Sequence, residues 1–250
     1  MKENQYDDSH FFAQYSRFPR SAEGLSAAGE WHALKALLPD FRGRRVLDLG
    51  CGFGWHCRYA AEQGAAEVLG IDLSEKMLSQ AKVRNPHPAV TYRRAAMEDL
   101  EDLDLPEASF DVVLSSLALH YVEDLDQVCR MVYRLLTPGG VFVLSCEHPV
   151  FTARGDQEWY RDRDGSILHW PVDRYFDEGV RTAHFLGCDV TKYHRTLTSD
   201  VGALLKAGFA LTDLVEPRPD PRLMDVPGMA DELRRPMMLI LSGRKPEGPA

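Results

Sequence analysis

The sequence predicts an α/β fold built on a doubly wound, seven-stranded, mostly parallel sheet with helices on both faces and an antiparallel last strand. Three observations carry that expectation. The apolar run Val46-Leu47-Asp48-Leu49 passes directly into Gly50-Cys51-Gly52-Phe53-Gly54 and then into the helix-compatible Trp55–Ala61, which reads as strand, tight turn and helix start. Short apolar runs alternate with longer amphipathic stretches from about Arg44 to Glu147, the rhythm of βαβ units with right-handed crossovers. After Glu147 that rhythm breaks, and a helix followed by two strand-like runs closes the chain.

Each element has its own justification. Tyr6 to Leu38 is mostly helical in pattern and rich in aromatics, with Tyr6, Phe11, Phe12, Tyr15, Phe18 and Trp31. It is expected to form an N-terminal helical lid over residues 1–43. Strands are expected at Arg45–Leu49, Val68–Asp72, Val90–Arg93, Phe110–Ser115 and Val141–Cys146, all short and apolar, as strands covered on both faces should be. Helices are expected at Trp55–Gln63, at Ser74–Val83 with Ser74 as N-cap, and at Leu125–Leu136 before the stop signal Thr137-Pro138-Gly139-Gly140. From His148 to Arg195 the chain is rich in Trp, Tyr, Arg, Asp and Gly, with strand-like pieces at Val172–Phe176 and Val190–His194. This insertion, 148–195, is expected to cap the site. Ser199–Ala207 reads as a helix closed by Gly208, and Phe209–Val215 and Met237–Ser242 as the last two strands, separated by the proline-rich stretch from Pro217 to Pro236. The tail from Lys245 to Ala250 is expected to fray.

Composition narrows the function classes. The 250 residues suit one large α/β domain over 44–250 with elaborations, and the net charge of −9 disfavours a protein that grips nucleic acid through a basic stripe. Cys51, Cys57, Cys129, Cys146 and Cys188 are odd in number and form no C-x-x-C pair, so no metal and no disulfide framework is expected, and a cytoplasmic location follows by default. The polar, acidic N-terminus does not read as a secretory signal, and no apolar run reaches membrane-spanning length.

The glycine turn is informative through its spacing. A dinucleotide turn follows G-x-G-x-x-G, whose third glycine would fall at Trp55, so a nicotinamide dehydrogenase is disfavoured. What stands there instead is D-x-G-x-G-x-G. With Gly70-Ile71-Asp72-Leu73-Ser74, the block from Phe110 to Val122 and the block from Leu135 to Phe142, it resembles the class I S-adenosylmethionine (SAM)-dependent methyltransferases of the small-molecule type, including quinone-biosynthesis methyltransferases. The resemblance covers Arg44 to Glu147 strongly and the final helix and strand pair loosely. It implies a Rossmann-like fold, SAM as cofactor and a small-molecule methyl acceptor, with monomer and homodimer both compatible. A SAM-binding regulator without transferase activity is the alternative.

The resemblance also implies a cofactor site. Gly50, Cys51, Gly52 and Gly54 would let the backbone approach the ligand, with Asp48 either near its ammonium group or ordering the turn. Asp72, roughly 20 residues beyond the turn, suits a ribose diol, since one carboxylate offers two oxygens to two hydroxyls. Leu73, Met77, Ser115 and Leu117 would line the adenosine. Where the family carries an Asp this chain has Ala96, so adenine is expected on the Met97 backbone with Glu98 nearby. Arg20 would pair with the cofactor carboxylate. For the chemical step the candidates near the strand ends are His120 and Tyr121, Glu147 and His148, and Tyr193, His194 and Arg195; of these His148, His194 and His120 are the candidate bases, because histidine titrates near neutrality. Trp159, Tyr160, Trp170, Tyr175 and Phe176, with Arg174 and Arg181, are expected either to shape an acceptor pocket or to form the core of the cap. An Asn/Asp-Pro-Pro-aromatic segment, expected of nucleic-acid amine methylation, is replaced by Ser115-Ser116-Leu117-Ala118. The acceptor atom, whether oxygen, nitrogen, sulfur or carbon, stays open at this point.

Overall fold

The computed structural model describes residues 2 and 4–248. Met1, Glu3, Pro249 and Ala250 lie outside the described residues. The chain begins with a 3₁₀ turn at Gln5–Asp7, followed by α1 (Ser9–Tyr15), α2 (Pro19–Ala22) and α3 (Trp31–Leu37). The alternating region then supplies β1 (Arg45–Leu49), α4 (Trp55–Glu62), β2 (Glu67–Asp72), α5 (Glu75–Arg84), β3 (Val90–Arg94), β4 (Phe110–Ser116), α6 (Leu125–Leu135) and β5 (Leu136–Glu147). The insertion holds α7 (Pro149–Thr152), the strand pair β6 (Tyr160–Arg161) and β7 (Ile167–His169), and the hairpin β8 (Gly179–Phe185) with β9 (Cys188–His194). The chain closes with α8 (Leu197–Ala207), β10 (Ala210–Val215) and β11 (Met238–Arg244).

The main sheet has seven strands in the order β10-β11-β5-β4-β1-β2-β3. β1 pairs in parallel with both β2 and β4, and β11 lies antiparallel between β5 and β10. The chain winds outward from β1 to β3, returns, and winds the other way from β4, which places the topological switch between β1 and β4. Ligands in such sheets sit beyond the carboxyl ends of the strands at that crevice. One face of the sheet is covered by α6 and α8, with Leu47, Leu49, Phe142, Val132 and Leu204 in its core. The other is covered by α3, α4 and α5 over Val46, Val68, Val112 and Val143. Burying both faces explains why the central strands read as continuous apolar runs.

Three expectations need correction, and the acidic stretch after β3, given no element above, gains one. Val172–Phe176 forms no strand, and the hairpin partner of Val190–His194 is Gly179–Phe185 instead. α6 stops at Leu135, just before Thr137-Pro138-Gly139-Gly140, but β5 begins earlier than the expected Val141 and takes that segment in. β5 starts at Leu136 and absorbs the glycines through a register shift opposite Phe110 and Val112. The acidic stretch after β3 is a 3₁₀ segment, Met97–Leu103, that buries Leu100. Lys245 is not frayed: its Nζ donates to the carbonyls of Tyr133 and Leu136 at 2.9 and 2.8 Å.

Candidate active site

The floor of the site is the turn after β1. The amides of Gly50 and Cys51 both donate to the Ile71 carbonyl at 2.8 and 2.9 Å, which presses the turn against the end of β2. Gly50 has φ +71°, and a Cβ there would lie 2.4 Å from Ala118 Cβ in the loop beyond β4. Only glycine lets these two loops cross so closely. At Gly52 (φ +53°) a Cβ would meet nothing within 4 Å, so open space lies directly above the backbone.

Asp72 closes β2 beside that space. Its Oδ2 accepts from the Gly52 amide and its Oδ1 from the Ser74 amide, both at 2.8 Å. Each oxygen keeps a lone pair for a ligand donor. Burial pushes the carboxyl up to about 6, against the pull of the Ser74 and Gly52 amides. A pair of hydroxyl donors would relieve that cost. The open cradle at Gly52, next to a carboxylate short of donors, therefore fits the ribose of an adenosyl ligand.

A single cavity joins Gly50, Gly52, Asp72, Leu73, Met77, Ala96, Met97, Glu98 and Leu117 to a second group of residues beyond β4 and β5: His120, Tyr121, Glu147, Phe151, Gln157, Phe185 and Lys192. Tyr6, Tyr15, Phe18 and Arg20 from the N-terminal segment wall its side. Tyr6 lies edge-on to Tyr15 and Tyr121 and shares a 3.0 Å hydroxyl–hydroxyl hydrogen bond with Tyr121. Arg20 donates to Glu30 Oε1 at 2.9 Å.

Several expected site residues lie behind the lining. Asp48 is buried under the turn, where its Oδ2 accepts from Cys57 Sγ at 3.1 Å and burial pushes its carboxyl up to about 7. It does not line the cavity, and its hydrogen bond runs to α4 rather than to the amides of the glycine turn. Cys51 and Gly54 do not line the cavity, nor does Ser115, whose Oγ donates to the Leu49 carbonyl at 3.0 Å.

The three histidines separate. His194 is fully buried with both ring nitrogens engaged. Its Nδ1 lies 2.7 Å from Thr152 Oγ1 and its Nε2 lies 2.9 Å from the Tyr175 carbonyl. His148 caps α7 by accepting from the Val150 amide at 3.0 Å, and its Nε2 lies 2.9 Å from Glu216. Neither lines the cavity. His120 does. Its Nδ1 accepts from the Glu147 amide at 3.4 Å, which places the proton of the neutral ring on Nε2, and burial pulls its pKa down to about 4.

Among the aromatics of the insertion, Phe151 and Phe185 line the cavity, whereas Trp159 and Trp170 form cap core. Trp159, Trp170 and Phe151 pack around the Arg235 guanidinium, with ring centroids 5.1, 4.3 and 4.6 Å from it. Arg181 is buried and donates to the carbonyls of Ala153, Arg174 and Asp177. Phe176 is 89% exposed.

Glu147 stood among the candidates at the strand ends, beside His148, whereas Gln157 and Lys192 were not expected as site residues. Lys192 carried a readable signal. On β9 the inward positions alternate as Val190, Lys192 and His194, so a charge stands on the buried face of a two-residue period. Gln157 lies in an irregular stretch and carried none.

Three comparisons bear on this geometry. A family model described as a methyltransferase domain matches residues 47–144. A crystal structure from Listeria monocytogenes, described as an S-adenosylmethionine-dependent methyltransferase, is 57% identical with a TM-score of 0.84 and covers 90% of this chain and 100% of that one. One of the same description from Mesorhizobium loti is 47% identical with a TM-score of 0.81, over 88% and 100% of the two chains. The malonyl-[acyl-carrier protein] O-methyltransferase of Pectobacterium atrosepticum is 32% identical, over 80% of this chain and 77% of its own length. Among the described residues no group of side chains is arranged to hold a metal ion, and no helix is long and apolar enough to cross a membrane.

Proposed function

The chain belongs to the class I SAM-dependent methyltransferases, and on that premise we propose that it methylates a small molecule held at the β4–β5 end of its cavity. The observation that carries this reading is the continuity of the cavity. The Asp72–Gly52 cradle at one end opens onto a chamber bounded by Phe151, Gln157, Phe185 and Lys192 of the insertion at the other. A donor and a modest acceptor can therefore meet out of bulk water.

In this reading Asp72 holds the ribose diol, the Gly50–Gly52 backbone lies along the amino-acid part, and Met77, Ala96, Met97 and Glu98 surround the adenine. Arg20, already neutralised by Glu30, stands close to the place for the cofactor carboxylate. Residues 1–43 act as the lid and 148–195 as the cap. The bound cofactor supplies a methyl group on a cationic sulfur. The protein's part is to align the acceptor in line with it and exclude water, and positioning alone supplies much of the rate of a displacement. The acidic balance and the enclosed chamber disfavour a nucleic-acid acceptor.

The test is calorimetric titration with S-adenosylhomocysteine of the wild type and Asp72→Ala. A charge-assisted bond worth roughly 1.5–3 kcal/mol gives a loss of an order of magnitude or more in affinity. Equal affinity in the two proteins would overturn the ribose assignment.

A further inference from the structure

At the acceptor end of the cavity, three side chains from separate parts of the insertion and of β5 close a ring of hydrogen bonds. Lys192 Nζ donates to Glu147 Oε1 at 2.5 Å and to Gln157 Oε1 at 3.0 Å, and Gln157 Nε2 donates to Glu147 Oε2 at 2.7 Å. Lys192 is 3% exposed, and an ion pair taken this far from water persists only where geometry and further hydrogen bonds compensate the desolvation. All three residues line the cavity, as does His120, whose ring nitrogen accepts from the Glu147 amide.

We propose that this ring, with His120, is the acceptor site, and that Glu147 receives the proton of a weakly acidic hydroxyl, phenolic or enolic, on a planar uncharged molecule. The proposal rests on the methyl-transfer reading above and adds the acceptor class and the base to it.

The charges select the class. Glu147 and Lys192 cancel, and His120 is neutral, so the chamber carries no net charge to welcome an ion. A carboxylate acceptor would face Glu147, and an ammonium would face Lys192. A hydroxyl suits both neighbours: it can donate to a second lone pair of a Glu147 oxygen and accept from His120 Nε2–H. Phe151 and Phe185 supply flat apolar walls. Burial alone would raise the Glu147 carboxyl, but His120 when protonated and the Lys192 charge beside it, with the bonds from Lys192 and Gln157, bring it below its ordinary value. An ionised carboxylate of that strength suits a phenol or enol better than an aliphatic alcohol, whose proton it would hold too weakly.

The step balances. The acceptor O–H bond breaks with its proton passing to Glu147, the oxygen pair forms the new O–CH₃ bond, and the C–S pair stays on sulfur as a neutral thioether. Lys192 and Gln157 act as positioning residues that hold the carboxylate ionised and aimed into the cavity.

The test uses the full chain with 7-hydroxycoumarin and, as amine counterpart, 7-aminocoumarin. With S-adenosylhomocysteine bound, fluorescence titration should show the hydroxycoumarin binding the wild type and Glu147→Gln losing affinity roughly tenfold. Radiolabelled methyl transfer to the hydroxycoumarin should fall at least 100-fold in kcat for Glu147→Gln, with KM for the cofactor unchanged and partial rescue in Glu147→Asp. Gln157→Ala should raise KM for the hydroxycoumarin more than it lowers kcat. Transfer to the aminocoumarin alone, to neither probe, or at full rate in Glu147→Gln would overturn the proposal. Failure of the wild type to bind S-adenosylhomocysteine would instead overturn the methyl-transfer reading beneath it.

Discussion

Ser74 Oγ donates a 2.6 Å hydrogen bond to Asp7 Oδ1, joining the segment ahead of the first helix to the residue that caps α5. The same carboxylate accepts from the Lys76 and Glu75 amides at 3.1 and 3.4 Å. Asp7 thus serves an α-helix N-terminus far from it in sequence, where unpaired amides and the helix dipole favour an anion. Tyr6, its neighbour, is thereby held against Tyr15 and Tyr121 at the cavity wall.

Asp7→Ala should therefore loosen the cavity wall. A lost cap costs about 0.5–2 kcal/mol, read in urea denaturation, and amide exchange across Gln5–Tyr15 should quicken. Although burial raises its carboxyl, the bonds from Ser74, Lys76, Asn4 and Glu75 bring Asp7 below its ordinary value. Its contribution is present above the unfolded value near 3.8 and fades as pH falls through the lower folded one. Exchange rates unchanged in the variant would rule out the anchor.

Gly50→Ala combines a left-handed φ with a Cβ placed on Ala118. A cost of about 2–4 kcal/mol is expected from strain and overpacking together. Chemical denaturation should register it, together with a large loss in S-adenosylhomocysteine affinity. A stable variant of normal affinity would show that the β1 and β4 loops can part freely.

The histidines should behave oppositely. His194→Ala breaks the bonds to Thr152 and Tyr175 in a sealed environment and should cost about 1–3 kcal/mol in stability, with kcat per folded molecule within about threefold of normal. His120→Ala should keep most of the stability and lose at least tenfold in turnover, as expected of a group facing the acceptor. Melting curves and single-turnover rates on the same preparations separate the two outcomes, and a reversal of the pattern would show that His194 rather than His120 faces the acceptor.

Asp48 sets a pH dependence of stability. Burial raises its carboxyl from 3.8 to about 7 in the folded protein, against the bond from Cys57. The folded state then holds a proton that the unfolded state has lost, so this group's contribution is fully present below about pH 4 and is lost as pH rises through about 7. Asp72, raised by burial to about 6, adds to the same slope. Melting temperature should fall between about pH 5 and 7, and Asp48→Asn should flatten the fall. An unchanged slope in the variant would place its origin elsewhere.

The alternating region was legible because local and tertiary demands agree there: β1 runs Arg45–Leu49 as its apolar pattern requires, and Asp72 lies beside the turn as its spacing implies. β5 was misread because Pro138 and the paired glycines mark a stop in most settings, whereas the register shift against β4 tolerates them. His148 and His194 were chosen for their chemistry and their nearness in sequence to strand ends. Their ring nitrogens are occupied by Val150, Thr152 and the Tyr175 carbonyl, partners set by tertiary packing and absent from any local pattern. Glu147 was legible as a candidate at the end of β5, but its tie to Lys192, 45 residues on, was not.

Arg195, at the foot of the β8–β9 hairpin, donates to the carbonyls of Leu119 and Val122 on either side of the His120 turn, both at 2.8 Å, and pairs with Asp200 at 3.0 Å. The hairpin is thus riveted to the sheet at its base, while at its far end Phe185 packs against Phe11 and Phe18 of the N-terminal segment. The acceptor end of the cavity is in this way a joint of three stretches of chain: His120 and Glu147 from the sheet, Gln157, Phe185 and Lys192 from the insertion, and Phe18 from the N-terminal segment. A shift of any one of them is felt by the other two.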